Sequence, residues 1–264
     1  MIVRKSREEL ERQARAGRVV SETLALLTEH MRPGVTTAEL DRVAEEHIGA
    51  RGGHPTFKGY RGYPAAICTS PNDMIVHGIP GPYALADGDI LSVDVGVTLD
   101  GLVGDAAYTF TVGSVSAEAS RLLDTCREAL AAGIEECRAG RHLTDISHAI
   151  QQATEEAGFT VVRALVGHGV GRVMHEDPQI PNYGPPGRGP VLQPGMVFAI
   201  EPMITAGTHA IVLEEDDWSI STADGSLAAH FEHTVAITEG EPRILTWPHP
   251  SALPRFEETR RAAG

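Results

Sequence analysis

The sequence predicts an α+β fold on three observations: two helices opened by capping boxes, an Asp-Gly hairpin near the middle, and a strand-rich second half. With 264 residues, 42% hydrophobic and 22% charged, the chain is long enough to bury one substantial core. No short-period repeat or interior linker divides it. We therefore expect one catalytic domain over residues 1–246 and a C-terminal tail, rich in Pro and charge, over 247–264.

Ser6 with Glu9 forms an S-x-x-E capping box, which starts a helix carrying Leu10, Val19, Val20, Leu24 and Leu27 toward a core; "MRPG" stops it. Thr36 with Glu39 starts a second helix, which ends before "RGG". A strand over 65–70 follows, then "PND" as a turn and the stretch "MIVHGIP". From Asp89 to Val112 two strands flank Asp100-Gly101, the dipeptide suited to the positive φ angles of a two-residue turn. Two more helices are expected near 116–139 and 144–158, ending at Gly140 and Gly158. The remainder reads as strands in "TVVRALV", "GMVFAIEPMIT", "HAIVL", "WSIST" and "HFEHTVAIT", the first two separated by the loop "NYGPPGRGPVLQPG".

A formal charge of −14 argues against DNA and anionic membranes as partners, because such a surface repels phosphate over a Debye length of about 8 Å. One stretch departs from this balance: "RKSREELERQARAGR", where six Lys/Arg meet three Glu, reads either as a solvated helix face or as a phosphate-contact patch. The three cysteines are odd in number, and Cys126 and Cys137 on one helix would stand about 16 Å apart at 1.5 Å per residue, too far to bridge. The N-terminus turns charged at once and no run approaches a membrane span, so a soluble cytoplasmic protein is expected.

The hairpin raises a chemical question. With Asp100-Gly101 as the turn, facing residues sum to 201, so Asp94 faces Ala107 and Gly96 faces Asp105. Period-two alternation then puts Asp94 and Asp105 on one face as diagonal neighbours, about 7–8 Å apart at Cα. Two carboxylates so close in an apolar setting need a proton or a cation between them; otherwise both lie at a hairpin edge facing water.

Three further groups favour the cation. "VFAIEPMI" buries Glu201 in a strand, "AHFEHTVAI" does the same for Glu232, and "VGHGVGR" holds His168 in a glycine-rich loop. Residues 196–205 and 228–238 contain no basic side chain except histidine, so four carboxylates lack a protein counter-ion. Oxygen ligands with one imidazole fit two divalent ions of the Mn, Fe, Co or Zn kind in a hydrolytic site. His77 and His175 lie in loops, where neutral imidazoles can hydrogen-bond a scissile amide or its oxyanion. "GHGVGR" lacks the spacing and the lysine of nucleotide loops, and no H-E-x-x-H, C-x-x-C or G-x-S-x-G is present.

The motifs "YRGYPAAICTSPNDMIVHGIP", "DGDILSVDVGVTLDGLVGDAAYTF", "VGHGVGRVMHEDPQIPNYG", "LQPGMVFAIEPM" and "FEHTVAIT" resemble, in order, those of type I methionine aminopeptidases of the pita-bread metallopeptidase family. The resemblance runs from about residue 4 to 246. It implies a curved antiparallel sheet with helices on its outer face and two pseudo-twofold halves around the site. It implies that Asp94, Asp105, His168, Glu201 and Glu232 hold two divalent metals, with Glu232 and Asp105 bridging, and that water on the metals attacks the scissile carbonyl. Glu201 would shuttle the proton, His77 would meet the scissile amide nitrogen, and His175 would stabilise the oxyanion.

The same resemblance implies a methionine pocket of Tyr60, Tyr63, Cys68, Met174 and Trp218. The implied activity removes the first methionine from nascent chains and peptides when the second residue is small. Phe57, Arg61, Met174 and Ala106 depart from the residues common in bacterial relatives, which bears on pocket shape rather than on the reaction. A monomer is expected, with the ribosome as a further partner through the basic first helix. Two rivals stand beside this reading: a proline-specific exopeptidase with the same ligands, usually carrying an added N-terminal domain, and a metal-free binding protein on the same fold.

Overall fold

The computed structural model describes residues 1–246, so the tail expected over 247–264 lies outside the described residues. Both capping boxes form: Ser6 opens α1 (Arg7–Thr28) and Thr36 opens α2 (Thr37–Ala50), each with its N3 glutamate reaching back to the cap. Short strands β1 (His54–Pro55), β2 (Cys68–Pro71) and β3 (Met74–Val76) lead to the long hairpin β4 (Ile90–Leu99) and β5 (Leu102–Thr111). Two helices follow, α3 (Ala117–Glu135) and α4 (Leu143–Glu156). The second half then runs through β6 (Thr160–Val161), β7 (Val166–Gly169), β8 (Glu176–Pro181), β9 (Val197–Ile200) and β10 (Met203–Thr205). It closes with β11 (Ile211–Leu213), β12 (Ile220–Thr222), β13 (Ala228–His230), β14 (His233–Ala236) and β15 (Arg243–Ile244).

The hairpin obeys the predicted register over all ten pairs, from Ile90 opposite Thr111 to Leu99 opposite Leu102. Asp100 at φ 51 and Gly101 at φ 74 supply the two positive φ angles of the turn. β4 is the centre of one sheet, with β5 on one side and β2 and β1 on the other. Leu91, Val93, Val95 and Val97 on one face of β4 pack with Val20, Leu24, Leu27, Leu40 and Ile48 of α1 and α2. Burying each such side chain contributes about 1.5–3 kcal/mol, which fixes the helices to this face and leaves the other for the site.

The second half repeats the plan. A five-stranded antiparallel sheet, ordered β15-β14-β9-β7-β8, is covered by α3 and α4 through Leu122, Leu130, Ile146 and Ile150 against Phe198, Ile200 and Val235. Two three-stranded sheets, β13-β10-β6 and β11-β12-β3, complete the fold. Strands β1, β8 and β15 are additions to the sequence reading, and "TVVRALV" divides into β6 and the start of β7. All three cysteines are buried and free. Among the described residues, no helix is long and apolar enough to cross a membrane. Part of the basic charge over residues 4–18 is engaged: Lys5 pairs with Glu176 and Arg15 with Asp100.

Candidate metal centre and cavity

Asp94 lies on β4 between Cys68 of β2 and Ala107 of β5. Its neighbours Val93 and Val95 face the helices, so alternation turns Asp94 to the opposite side. Asp105 shares that side with Val103, which packs in the cluster containing Tyr63, Cys68 and Met174. Both aspartates thus point away from α1 and α2, into the molecule rather than toward water; Asp105 is 1% exposed.

Threonines tie the second half to β5. Asp105 N donates to Thr234 Oγ1 at 3.0 Å, and that hydroxyl donates to Asp105 O at 2.8 Å. Farther along β5, His230 N donates to Thr109 Oγ1 at 2.9 Å, and Thr109 Oγ1 donates to His230 O at 2.8 Å. Between these contacts Glu232 N donates to Ala107 O at 2.9 Å. Glu232 is thereby brought beside Asp105.

Two expectations need correction. Glu201 and Glu232 are not inside strands: Glu201 falls between β9 and β10, and Glu232 between β13 and β14. The chain changes sheets at both points, since β9 and β14 pair in the five-stranded sheet and β10 and β13 in a three-stranded one. Pro202, lacking an N–H, suits the first corner. His168, expected in a loop, is instead on β7, opposite Gln179 and Ala199. His77 and His175 do lie in loops.

The candidate ligand atoms converge. His168 Nε2 is 3.4 Å from Glu201 Oε1 and 3.8 Å from Asp105 Oδ2. Candidate atoms of Asp105, His168 and Glu232 all lie within 4.8 Å of one another. His168 Nδ1 sits 2.9 Å from Gly169 O, which can only accept, so Nδ1 carries the proton and the Nε2 lone pair faces the carboxylates. Asp94 Oδ1, Asp105 Oδ1 and Glu232 Oε1 are buried without a hydrogen-bond partner among the described residues. Leaving a buried charge unpaired costs several kcal/mol, so this donor set fits divalent cations, which prefer oxygen and imidazole ligands.

Burial pushes the Asp94 carboxyl up to about 7. Asp105 is raised well above the ordinary value by burial and the neighbouring Asp94 and Glu201. Glu201 and Glu232 are raised well above theirs, by burial and then by neighbouring carboxylates. Burial moves the histidines the other way, His77 and His168 to about 4 and His230 to about 3, so these imidazoles are neutral at pH 7.

These groups line one cavity of about 300 Å³, which also gathers the five residues of the expected methionine pocket, Tyr60, Tyr63, Cys68, Met174 and Trp218. Tyr63 packs edge-on against Trp218, centroids 5.1 Å apart, and its hydroxyl donates to Gly78 O at 2.8 Å. Cys68 is buried and its thiol is pushed well above the ordinary range, which removes it as a nucleophile. His77 enters the cavity from a left-handed backbone, φ 61, beside Gly78, where an added Cβ would sit 2.1 Å from Thr69 O. His175 Nδ1 is 2.8 Å from the Tyr60 hydroxyl.

One titratable lining residue is absent from the sequence reading. His230 is 2% exposed, with Nε2 3.8 Å from Glu201 Oε2. Its signal was the two-residue spacing from Glu232 in "HFEHTVAIT", which puts the two on one side when that stretch is read as a strand.

The model of metallopeptidase family M24 matches residues 11–239. A methionine aminopeptidase of Clostridium perfringens is 52% identical over 246 residues, covering 93% of this chain and 99% of that protein. The crystal structure of methionine aminopeptidase from Rickettsia prowazekii superposes with a TM-score of 0.92 at 40% identity, covering 94% of this chain and 100% of that one. A prolidase from Pyrococcus furiosus shares the fold at TM-score 0.77 but only 22% identity, and this chain spans 66% of its length. With nearly the whole length matched, the chain belongs to metallopeptidase family M24, among the methionine aminopeptidases.

Proposed function

We propose that this protein hydrolytically removes the first methionine from peptides and nascent chains whose second residue is small, using two divalent ions held by Asp94, Asp105, His168, Glu201 and Glu232. The observation that carries the reading is the convergence of unpaired buried carboxylate oxygens and the His168 Nε2 lone pair beside an apolar, aromatic-walled cavity. When bound, the ions lower the pKa of water and polarise the scissile carbonyl.

The remaining work falls to the chain. Tyr60, Tyr63, Cys68, Met174 and Trp218 form a slot for a thioether side chain, with Met174 the adaptable wall. Glu201 takes the proton of the attacking water and delivers it toward the leaving amine. His77, neutral at pH 7, hydrogen-bonds the scissile nitrogen. His175 donates from Nε2 to the developing oxyanion when the Tyr60 hydroxyl donates to its Nδ1. The buried carboxylates offer their charge to a free amine, which favours a chain terminus over an internal peptide bond.

The test is mass-spectrometric. The protein is stripped of metal, restored with Mn, Fe, Co or Zn, and offered Met-Ala-Ser, Met-Lys-Ser and Ala-Pro-Ser. Metal-dependent loss of methionine from the first peptide alone is expected. Cleavage before proline, or none with any metal, would sink the reading.

A further inference from the structure

The mouth of the cavity carries a cation that the chemistry above leaves unused. Arg61 holds a backbone conformation that arginine rarely adopts, φ 50 and ψ 23, between Gly59 at φ 86 and Gly62 at φ 93. Its guanidinium carbon lies 5.4 Å from the Tyr60 ring centroid, within cation–π range. Tyr60 in turn contacts His175. Among the residues lining the cavity, Arg61 is the single Lys or Arg, and no carboxylate of the described residues lies within ion-pair distance of it.

Exposure orients the cavity. Asp105, His230 and Glu232 are buried at its inner end and Arg61 is exposed at its mouth, with the His175 ring between them, 4.3 Å from the His168 ring and 5.4 Å from that of Tyr60. This inference rests on the proposed function: a first methionine seated against the buried carboxylates sends the rest of its chain out past Arg61. The Arg61 guanidinium connects to His168 through Tyr60 and His175 in steps of 5.4, 5.4 and 4.3 Å, and an extended peptide advances about 3.3 Å per residue, which brings its third and fourth residues within range of the long arginine side chain. A planar guanidinium with no ion-pair partner among the described residues suits a planar or tetrahedral oxyanion, and the group of that kind that an unmodified peptide carries is a carboxylate.

We propose that Arg61 is a specificity-determining residue that recognises a carboxylate two or three residues beyond the substrate's methionine. That carboxylate is an acidic side chain or the free C-terminus of a short peptide. Arg61 thereby favours acidic over basic sequences following the small second residue.

The experiment measures kcat/KM on the metal-loaded protein for Met-Ala-Ser-amide, Met-Ala-Asp-amide, Met-Ala-Lys-amide and Met-Ala-Ser with a free carboxylate. Ratios between peptides within one variant cancel any effect of Arg61 on His175. The expected order is Asp-amide, then Ser-amide, then Lys-amide, with a spread of about fivefold to tenfold at low salt that shrinks at high salt, as for an exposed pair. Arg61→Asn, which tolerates the left-handed backbone, should collapse the spread; Arg61→Lys should keep its sign.

A free acid that outpaces its amide assigns the terminal carboxylate, and a faster Asp-amide assigns the side chain; either supports the inference. Equal rates in the native protein, or an order that survives Arg61→Asn, overturn it. Failure to release methionine from Met-Ala-Ser-amide overturns the proposed function as well.

Discussion

Lys5 Nζ lies 2.7 Å from Glu176 Oε2, in an ion pair whose side chains are only 3% and 10% exposed. The other Glu176 oxygen accepts from Arg172 N at 2.8 Å, and an added Cβ on Gly171 would sit 2.5 Å from both partners. The segment before α1 thus holds the turn that presents Met174 and His175 to the cavity.

Removing one member of that pair should be costly. Lys5→Met leaves the Glu176 carboxylate buried and uncompensated, and we expect a loss of about 3–5 kcal/mol. The double variant Lys5→Met with Glu176→Met should recover most of it. Thermal melts of the two single variants and the double one decide the matter; additive losses would show that the two residues do not act as a pair.

Glu201→Gln keeps the shape of the side chain and removes its capacity to carry a proton. A drop in kcat of about 10²- to 10⁴-fold is expected, with a smaller effect on KM. Steady-state kinetics with parallel metal analysis would separate this from simple loss of metal. Activity within threefold of native would remove Glu201 from the proton path.

Metal binding should expel protons near neutral pH. The Asp94 carboxyl moves from an ordinary 3.8 to about 7, and Asp105, Glu201 and Glu232 are likewise raised well above their usual values. In the metal-free fold Asp94 contributes stability that is fully present below the unfolded carboxylate range and is lost as pH rises through about 7, and the other three raised groups act in the same direction. Calorimetric titration in two buffers of different ionisation enthalpy counts the protons released. A buffer-independent heat would contradict the raised values.

Gly104 on β5 meets the backbone of α1 directly: a Cβ there would lie 2.5 Å from Gly17 N. Gly104→Ala must push the helix off the strand one residue from Asp105. We expect about 1–3 kcal/mol of destabilisation and weaker metal retention, read from melts and metal content after dialysis. Unchanged values would mean that α1 is free to shift.

How far the site could be read from sequence depended on whether local rules determined each residue's direction. Asp94 and Asp105 were legible because a two-residue turn fixes the register and alternation does the rest. The apolar surroundings of Glu201 and Glu232 marked them as buried acids. Their place at sheet-changing corners was not legible, because it depends on pairing with strands distant in sequence. Strand β8, "EDPQIP", was hidden by two prolines and a polar composition, and β1 and β15 are too short for any periodicity to show. His230 was overshadowed by the charged residue two places after it.

The unbroken ten-pair hairpin also constrains the gene. One residue inserted into a single strand between Asp94 and Asp105 would either bulge the ladder or turn one carboxylate toward the valine-lined helices. A matched insertion, one residue opposite another, leaves both aspartates on their shared face. Length variation within these two strands among working members of the family should therefore occur in even steps, a parity rule imposed on the gene by two acids that must look the same way.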